Sequence, residues 1–254
     1  MFIDTHCHLD HPSLASRRST VLSEARRAEI GKFIIPGVDP EGWGVIAELA
    51  NREVGIFPSF GLHPMLASRY REGLLDDIEH YSCSACGVAI GEIGLDYTVS
   101  GVSREDQVAA LRGQLRLAVR MGLPVLLHCR RAFQDLLRIV REERVREVGG
   151  VMHAFSGSPE TAGDFIREGL RISIAGTITY RNAVKPPEVA ARIPLDHLVL
   201  ETDAPDMTPE PFRGRENEPA FLRATAEKLA EIKRISLEEV AAVTTANAER
   251  LFRI

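Results

Sequence analysis

Short runs of apolar and β-branched residues alternate along the chain with longer stretches in which apolar residues recur at helical spacing. This alternation is typical of repeated strand–helix units around a parallel sheet. Leu111, Leu115 and Ala118 share one helical face and Gly122 follows, which predicts a helix over Arg104–Met121. Eight runs read as strands, at positions 2–6, 33–36, 56–62, 88–93, 124–128, 150–153, 171–175 and 198–201.

Eight strands with intervening helices in a chain of 254 residues match a (β/α)8 barrel in number and order. A doubly wound open sheet is the alternative, but neither a GxGxxG nor a GxxxxGK[ST] loop is present to favour it. A content of 44% hydrophobic and 26% charged residues, without a Gly/Ser-rich or Pro-rich linker, predicts one globular domain over 1–254. No apolar run approaches the roughly 18 residues of a membrane helix, so no membrane partner is expected.

The chain carries 31 basic and 36 acidic residues, a formal net charge of −5. This balance argues against extensive nonspecific binding of duplex DNA, which needs many lysine or arginine contacts to phosphates that no acidic residue opposes. It leaves room for a local arginine-rich pocket, since all but four basic residues are arginines, the better bidentate phosphate ligands.

Four cysteines, with no leader segment before the first predicted strand, lead us to expect free thiols and a cytoplasmic location. Cys83 and Cys86 form a CxxC pair, and His80 extends it to a spacing that can recruit zinc. No second Cys/His pair completes a tetrahedral set nearby, so we interpret both as packing cysteines.

Histidines and carboxylates fall at or near the ends of the predicted strands. Side chains two apart in a strand point the same way, so His6 and His8 are expected to aim at one spot while Cys7 points away. In a barrel the carboxyl ends of the strands meet at one mouth, where active sites of this architecture lie. The candidate metal ligands are His6, His8, Glu92, His128, His153 and Asp203.

Six ligands suggest two divalent ions, because one ion rarely takes six protein ligands and leaves room for a reactive water. Glu92 is the available bridge, since Lys32 opens its strand at the opposite rim and no other lysine follows a strand. A water between the ions would lose a proton and become the nucleophile, with Asp203 orienting it or taking its proton. The hypothesis assigns His6, His8 and Asp203 to one ion, His128 and His153 to the other, and Glu92 to both.

Imidazole-rich ligation favours Zn, Mn, Co or Ni over Mg. Because the availability of metals in the cell decides between them more than affinity does, the identity of the ion is left open among Mg, Mn and Zn.

Successive motifs along the chain resemble the signatures of TatD-family metal-dependent hydrolases. They are Asp4-Thr5-His6-Cys7-His8-Leu9, Gly61-Leu62-His63-Pro64, Gly91-Glu92-Ile93-Gly94-Leu95-Asp96, Leu123-Pro124-Val125 with His128, His153-Ala154-Phe155-Ser156-Gly157 and Glu201-Thr202-Asp203-Ala204-Pro205. The resemblance implies an amidohydrolase-like (β/α)8 barrel with a binuclear site at the six positions above. It also implies a deoxyribonuclease, often a 3′ to 5′ exonuclease, commonly dependent on Mg.

We therefore expect a metal-dependent hydrolase that cleaves DNA phosphodiesters, with single strands or 3′ ends as substrate and Asp203 and Glu92 as catalytic residues. The same chemistry can attack a carboxyl ester or amide, so an aminoacyl-tRNA deacylase is the first alternative. A noncatalytic nucleic-acid-binding barrel is the second. No obligate protein partner is indicated, and the oligomeric state is left open.

Two residues are candidates for binding substrate. Arg130 lies two residues past His128, and His63 ends the third predicted strand. The alternatives are a surface ion pair for Arg130 and a capping hydrogen bond ahead of Pro64 for His63. Further candidates for contact with a nucleic-acid backbone follow the seventh and eighth predicted strands, namely Tyr180, Arg181, Arg213 and Arg215.

Overall fold

The computed structural model describes residues 1–71 and 73–254. Eight strands lie within them: β1 Phe2–Asp4, β2 Ile30–Pro36, β3 Ile56–Phe60, β4 Ala89–Asp96, β5 Val125–Arg130, β6 Gly150–Met152, β7 Leu170–Ile174 and β8 Leu198–Leu200. The α-helices between and after them are α1 Pro12–Ala15, α2 Arg18–Arg27, α3 Trp43–Arg52, α4 Gly73–Ser84, α5 Arg104–Met121, α6 Phe133–Glu142, α7 Pro159–Arg167, α8 Lys185–Arg192, α9 Leu222–Lys233 and α10 Leu237–Phe252.

The strands form one parallel sheet in the order β1 to β8. Parallel pairing is seen, for example, between Asp4 and Phe33 of β1 and β2. The last strand lies beside the first, because the N–H of Thr5 donates to the carbonyl oxygen of Leu200 at 3.0 Å. Sequential order and this closing contact are those of a (β/α)8 barrel, which confirms the predicted fold class.

The chain divides into two compact units. The first comprises Met1–Ile35, Ala154–Gly163 and Ile172–Ile254, and the second comprises Pro36–His153 and Asp164–Arg171. Each has a buried apolar core, with Phe2 and Phe33 among the large side chains of the first and Trp43 and Phe60 among those of the second. The single-domain interpretation of 1–254 stays a prediction.

Helix α5 has the predicted bounds. Ser103 caps its start by accepting a hydrogen bond from the N–H of Asp106 at 3.0 Å. Gly122 ends it in the left-handed conformation, with φ 67°, that glycine adopts most readily. Local signals at both ends therefore determine this element.

The carboxyl ends of four strands differ from the prediction by two residues or more. Strand β3 ends at Phe60 and not at position 62. Strand β1 stops at Asp4, before His6 and His8, because the chain leaves the ladder there. Strand β4 continues to Asp96 and β5 to Arg130, so His128 is not the last residue of its strand. Glu92 and His128 thus lie inside their strands, whereas His6 and His8 lie beyond theirs.

All four cysteines are free thiols, as expected. Cys7 and Cys129 are buried, but Cys83 and Cys86 are exposed near the end of α4, so their interpretation as packing cysteines is wrong. Among the residues described here, no helix combines the length and the apolar character needed to cross a bilayer.

Candidate metal centre

The segment that follows β1 is held on both sides by backbone hydrogen bonds. The N–H of Cys7 donates to Ile34 at 3.1 Å, and the N–H of His8 donates to Ala204 at 2.9 Å. Cys7 is fully buried, whereas His8 is partly exposed. The convergence of the two imidazoles therefore comes from an irregular segment fixed between the ends of β2 and β8, and not from strand alternation as predicted.

His6, His8 and Asp203 form the first donor cluster, in which one potential ligand atom of each lies within 4.8 Å of the others. Asp203 Oδ1 is 3.7 Å from His6 Nε2 and 3.6 Å from His8 Nε2. The two imidazole rings meet edge to face, with centroids 5.0 Å apart. Two imidazoles and a carboxylate therefore face one point within the first unit.

Asp203 is fixed by the backbone around it. Its φ is 58°, an uncommon value for a residue with a Cβ, and its N–H donates to the backbone carbonyl oxygen of His6 at 2.9 Å. One residue earlier, Thr202 donates its N–H to the carboxylate of Asp4 at 2.9 Å, and its hydroxyl donates to the same carboxylate. Asp4 is fully buried, and burial raises its pKa to about 7 despite these hydrogen bonds. The interior of the first unit thus ties the end of β1 to the segment that carries Asp203.

Glu92 lies at an irregularity in β4. Ile90 pairs with Val125 and Ile93 with Leu127, so β4 has one more residue than β5 between these two pairs. Such a bulge re-aims a side chain. The N–H of Glu92 donates to the carbonyl oxygen of Gly37 at 2.9 Å, and its side chain is almost fully buried.

Three histidines of the second unit surround the carboxylate of Glu92. Its Oε1 atom is 2.9 Å from His128 Nδ1, 3.5 Å from His63 Nε2 and 3.9 Å from His153 Nε2. His63, Glu92 and His128 form the second donor cluster, again with ligand atoms within 4.8 Å of one another. The sequence prediction placed Glu92, His128 and His153 together but treated His63 only as a substrate contact.

His63 also caps the turn that follows it. Its Nδ1 accepts a hydrogen bond from the N–H of Met65 at 3.1 Å. A neutral imidazole that accepts at Nδ1 carries its proton on Nε2, the atom that faces Glu92. His63 therefore presents a donor toward the site. The capping alternative raised by the sequence is confirmed, whereas contact with substrate stays a prediction.

Sequence reasoning missed Asp96 as a site residue. It ends β4, is almost fully buried, and its Oδ2 lies 3.2 Å from His128 Nε2. Burial alone would raise the pKa of Asp96, but hydrogen bonds from Thr98 and His128 outweigh it and hold that pKa below its usual value. Asp96 stood in a quoted motif, yet only the pairing of β4 with β5 reveals its partner.

The donor sets fit divalent metal ions. Ligand atoms bound about 2.0–2.2 Å from one ion lie roughly 3–4 Å apart, the range of the distances from Asp203 to the histidines of the first cluster. Buried carboxylates are stable when they are paired or coordinate a metal. Imidazole with carboxylate suits Zn, Mn and related ions.

The candidate substrate residues differ in their surroundings. Arg130 is exposed at the end of β5. In the first unit, the guanidinium of Arg213 lies over the ring of Tyr180, 4.2 Å from its centroid, and that of Arg215 lies 5.0 Å from the centroid of Phe221. Arg213 and Arg215 therefore pack on aromatic faces.

Comparison with known proteins agrees with this geometry. The family model described as TatD related DNase matches residues 3–253. An uncharacterized metal-dependent hydrolase of Bacillus subtilis, YabD, is 38% identical over 254 residues, the full length of both chains. The human deoxyribonuclease TATDN3 is 33% identical over 265 residues, covering 98% of this chain and 94% of its own. The crystal structure of the TatD homologue YjjV from Escherichia coli matches with a TM-score of 0.94 and 36% identity, covering 100% of this chain and 98% of that one.

Fold and donors together define a metal-dependent hydrolase on a (β/α)8 barrel, an enzyme that acts on ester bonds. The chain belongs to the TatD family.

Proposed function

We propose that this hydrolase cleaves phosphodiester bonds of DNA at a binuclear metal centre. The observation that carries the proposal is the pair of imidazole–carboxylate clusters, His6–His8–Asp203 and His63–Glu92–His128, in each of which two of the three residues are buried. A family that includes the deoxyribonuclease TATDN3 supports DNA as the substrate. The free thiols fit a reducing compartment, and we include a cytoplasmic location in the proposal.

The proposed ligand assignment keeps the six predicted residues. In it, His6, His8 and Asp203 would hold one ion, His128 and His153 would hold the other, and Glu92 would serve both. Support comes from the architecture, since the carboxyl ends of all strands in a (β/α)8 barrel meet at one mouth. When bound, two divalent ions supply Lewis-acid polarisation of the scissile phosphoryl group and lower the pKa of water.

The chain's own residues orient water and move protons. Asp203 Oδ1 faces the imidazoles of His6 and His8, so Oδ1 would bind the ion, while Oδ2 would orient the attacking water and accept its proton. The Nε2–H of His63 donates to a phosphate oxygen or to the leaving oxygen, because Nδ1 is already engaged by Met65. Glu92, buried among three imidazoles, would bind the ions through its carboxylate oxygens.

Arginines and an aromatic face are proposed to bind the rest of the strand. Arg130 is exposed at the end of β5, two residues after His128, and can bind a phosphate in bidentate fashion. The Tyr180–Arg213 pair offers an aromatic ring beside a cation, the combination that stacks bases of single strands and neutralises their backbone. We accordingly propose single-stranded DNA, including free 3′ ends, as the preferred substrate.

The test is turnover by metal-reconstituted protein on single-stranded DNA, double-stranded DNA, a carboxyl ester and an aminoacyl-tRNA. We expect cleavage of single-stranded DNA that chelator abolishes and that Mg, Mn or Zn restores. His128→Ala should abolish it and remove about one metal ion per chain, which also excludes a contaminating nuclease. Preferred turnover of the carboxyl ester or aminoacyl-tRNA by the wild type, with no DNA cleavage, would overturn the proposal in favour of a deacylase.

A further inference from the structure

We infer that Asp96 is a positioning residue, which fixes the tautomer and the orientation of His128 so that Nδ1 of that ring is the atom offered to a metal ion. The inference rests on the metal site of the proposed function, but it needs neither DNA as substrate nor a particular ion. Nothing in the similarity to the relatives assigns a role to Asp96.

The imidazole of His128 lies between two carboxylates. Its Nδ1 is 2.9 Å from Glu92 Oε1, and its Nε2 is 3.2 Å from Asp96 Oδ2. The side toward Glu92 is the side of the second donor cluster, which includes His63. Asp96 is bonded to Thr98 and Gln107 through its other polar atoms, so it faces His128 from outside that cluster.

Every other polar atom of Asp96 is also held. Oδ1 accepts hydrogen bonds from the N–H and the hydroxyl of Thr98, at 2.8 and 2.5 Å. Gln107 of α5, itself buried, binds the backbone of Asp96 on both sides, accepting from its N–H at 2.8 Å and donating to its carbonyl oxygen at 2.9 Å. These contacts hold Asp96 Oδ2 in place independently of its contact with His128.

Carboxylates only accept hydrogen bonds, so Asp96 Oδ2 holds a proton on Nε2 of His128 and Glu92 Oε1 attracts one to Nδ1. An ion on the Glu92 side would replace the Nδ1 proton while Asp96 keeps the one on Nε2, which would leave the Nδ1 lone pair to the ion. Metal-ligating histidines generally donate their other N–H to such a partner, which fixes both tautomer and ring orientation. The structure supplies that partner from the residue that ends β4 and anchors it on the helix that follows.

The substitution Asp96→Asn tests this directly, because the surroundings decide which way the amide lies. The N–H of Thr98 is an obligatory donor, so the amide oxygen must take the Oδ1 position. The NH₂ group then faces Nε2 of His128 and favours the opposite tautomer, with the proton on Nδ1. The isosteric change should therefore remove the lone pair offered to the ion without removing any atom of the proposed ligands.

Metal affinity is the first measurement. Titration of chelator-treated full-length protein with Zn²⁺ or Mn²⁺ should show about 10- to 100-fold weaker binding at one of the sites in Asp96→Asn, the usual effect of losing such a partner. Asp96→Ala, which leaves the tautomer free, should lose less. The matched control is Asp135→Asn, at a half-exposed carboxylate that accepts a hydrogen bond from Tyr97, the neighbour of Asp96; it should bind metal as the wild type does.

The tautomer itself is the second measurement. Long-range ¹H–¹⁵N correlation spectra of the metal-free, ¹⁵N-histidine-labelled protein, assigned with His128→Gln, should show a proton on Nε2 of His128 in the wild type and only the Nδ1–H form in Asp96→Asn. Circular dichroism and thermal unfolding verify that both variants fold, and Asp96→Ala replaces Asp96→Asn if the latter does not. Unchanged affinity, or a tautomer that does not respond, would overturn the inference.

These readouts separate the inference from the proposed function. If the wild type cleaves no DNA while Asp96→Asn shifts both metal affinity and tautomer, the positioning role stands and the proposed substrate is wrong. If DNA is cleaved and Asp96→Asn behaves as the wild type in both measurements, the substrate stands and the positioning role is wrong.

Discussion

His63 faces the carboxylate of Glu92 through Nε2, at 3.5 Å, while its Nδ1 accepts the backbone N–H of Met65. The ring therefore shows a donor, and not a lone pair, to the candidate metal centre. This distinguishes His63 from His128, although both belong to the same cluster.

We predict that His63→Ala keeps the metal content of the wild type but lowers turnover by about 10² to 10⁴, the contribution of a positioned proton donor. His128→Ala should instead lose about one ion per chain. Metal analysis by inductively coupled plasma mass spectrometry, beside turnover on the same samples, checks the contrast. Loss of an ion from His63→Ala would make His63 a ligand and contradict the assignment.

Gly94 is a position where β4 approaches β5 too closely for a side chain. Its φ is 151°, and a Cβ there would lie 2.0 Å from the carbonyl oxygen of His128. Gly94→Ala should therefore lower the free energy of unfolding by about 3 kcal/mol and displace His128, weakening metal binding. The control is Gly44→Ala on α3, where a Cβ meets nothing within 4 Å and the helix should gain slightly. Urea unfolding of both variants measures the difference; equal stabilities would refute the steric account.

Glu143 joins α5 to the end of α6 through two arginines. Arg116 Nε donates to its Oε2 at 2.8 Å, Arg112 donates to its Oε1, and the Glu143 side chain is only 8% exposed. The hydrogen bonds from Arg116 and then Arg112 lower the pKa of Glu143 against the opposing effect of burial. A folded pKa below the unfolded one contributes stability that is present above the unfolded pKa and is lost as pH falls through the folded pKa.

Glu143→Gln should thus cost about 1–3 kcal/mol of unfolding free energy at pH 7, and the cost should shrink as the pH is lowered from about 5 toward 3. Glu48→Gln is the matched control, because its pair with Arg52 on α3 is exposed and worth at most about 0.5 kcal/mol. Denaturant unfolding across this pH range gives both quantities. A cost for Glu143→Gln that grows on acidification would contradict the sign.

The Tyr180–Arg213 pair predicts a salt-dependent substrate contact. Arg213→Ala should raise KM for single-stranded DNA several-fold with little change in kcat, and reduce the slope of log affinity against log salt by about 0.7, the value for one phosphate of a single strand. Arg52→Ala, an exposed arginine already paired on α3, should change neither. Fluorescence anisotropy of a labelled oligonucleotide in the presence of chelator measures the slope without cleavage. An unchanged slope would remove this pair from the substrate path.

The sequence predicted the elements whose signals are local. Helix α5 matched residue for residue, because a serine cap and a left-handed glycine specify its ends. The strand ends near the candidate site were mistaken, since hydrogen bonds to distant residues decide them: Cys7 binds Ile34, and β4 gains a residue against β5 at Glu92.

Donor types were readable from the sequence, whereas their partners were not. His6, His8 and Asp203 were predicted to share one site, and they do converge. Asp96 was invisible as a partner of His128 because 32 residues separate them and only the register Gly94–His128 brings them together. A tautomer, in particular, depends on which acceptor the finished fold presents to each nitrogen.

The hydrogen bond between Thr5 and Leu200 has a consequence for synthesis of the enzyme. Thr5 and Leu200 are 195 residues apart, so His6 and His8 leave the ribosome long before their carboxylate partner Asp203. While the intervening residues are made, the nascent polypeptide carries these imidazoles without that carboxylate, and the first cluster is complete only after the eighth strand has docked.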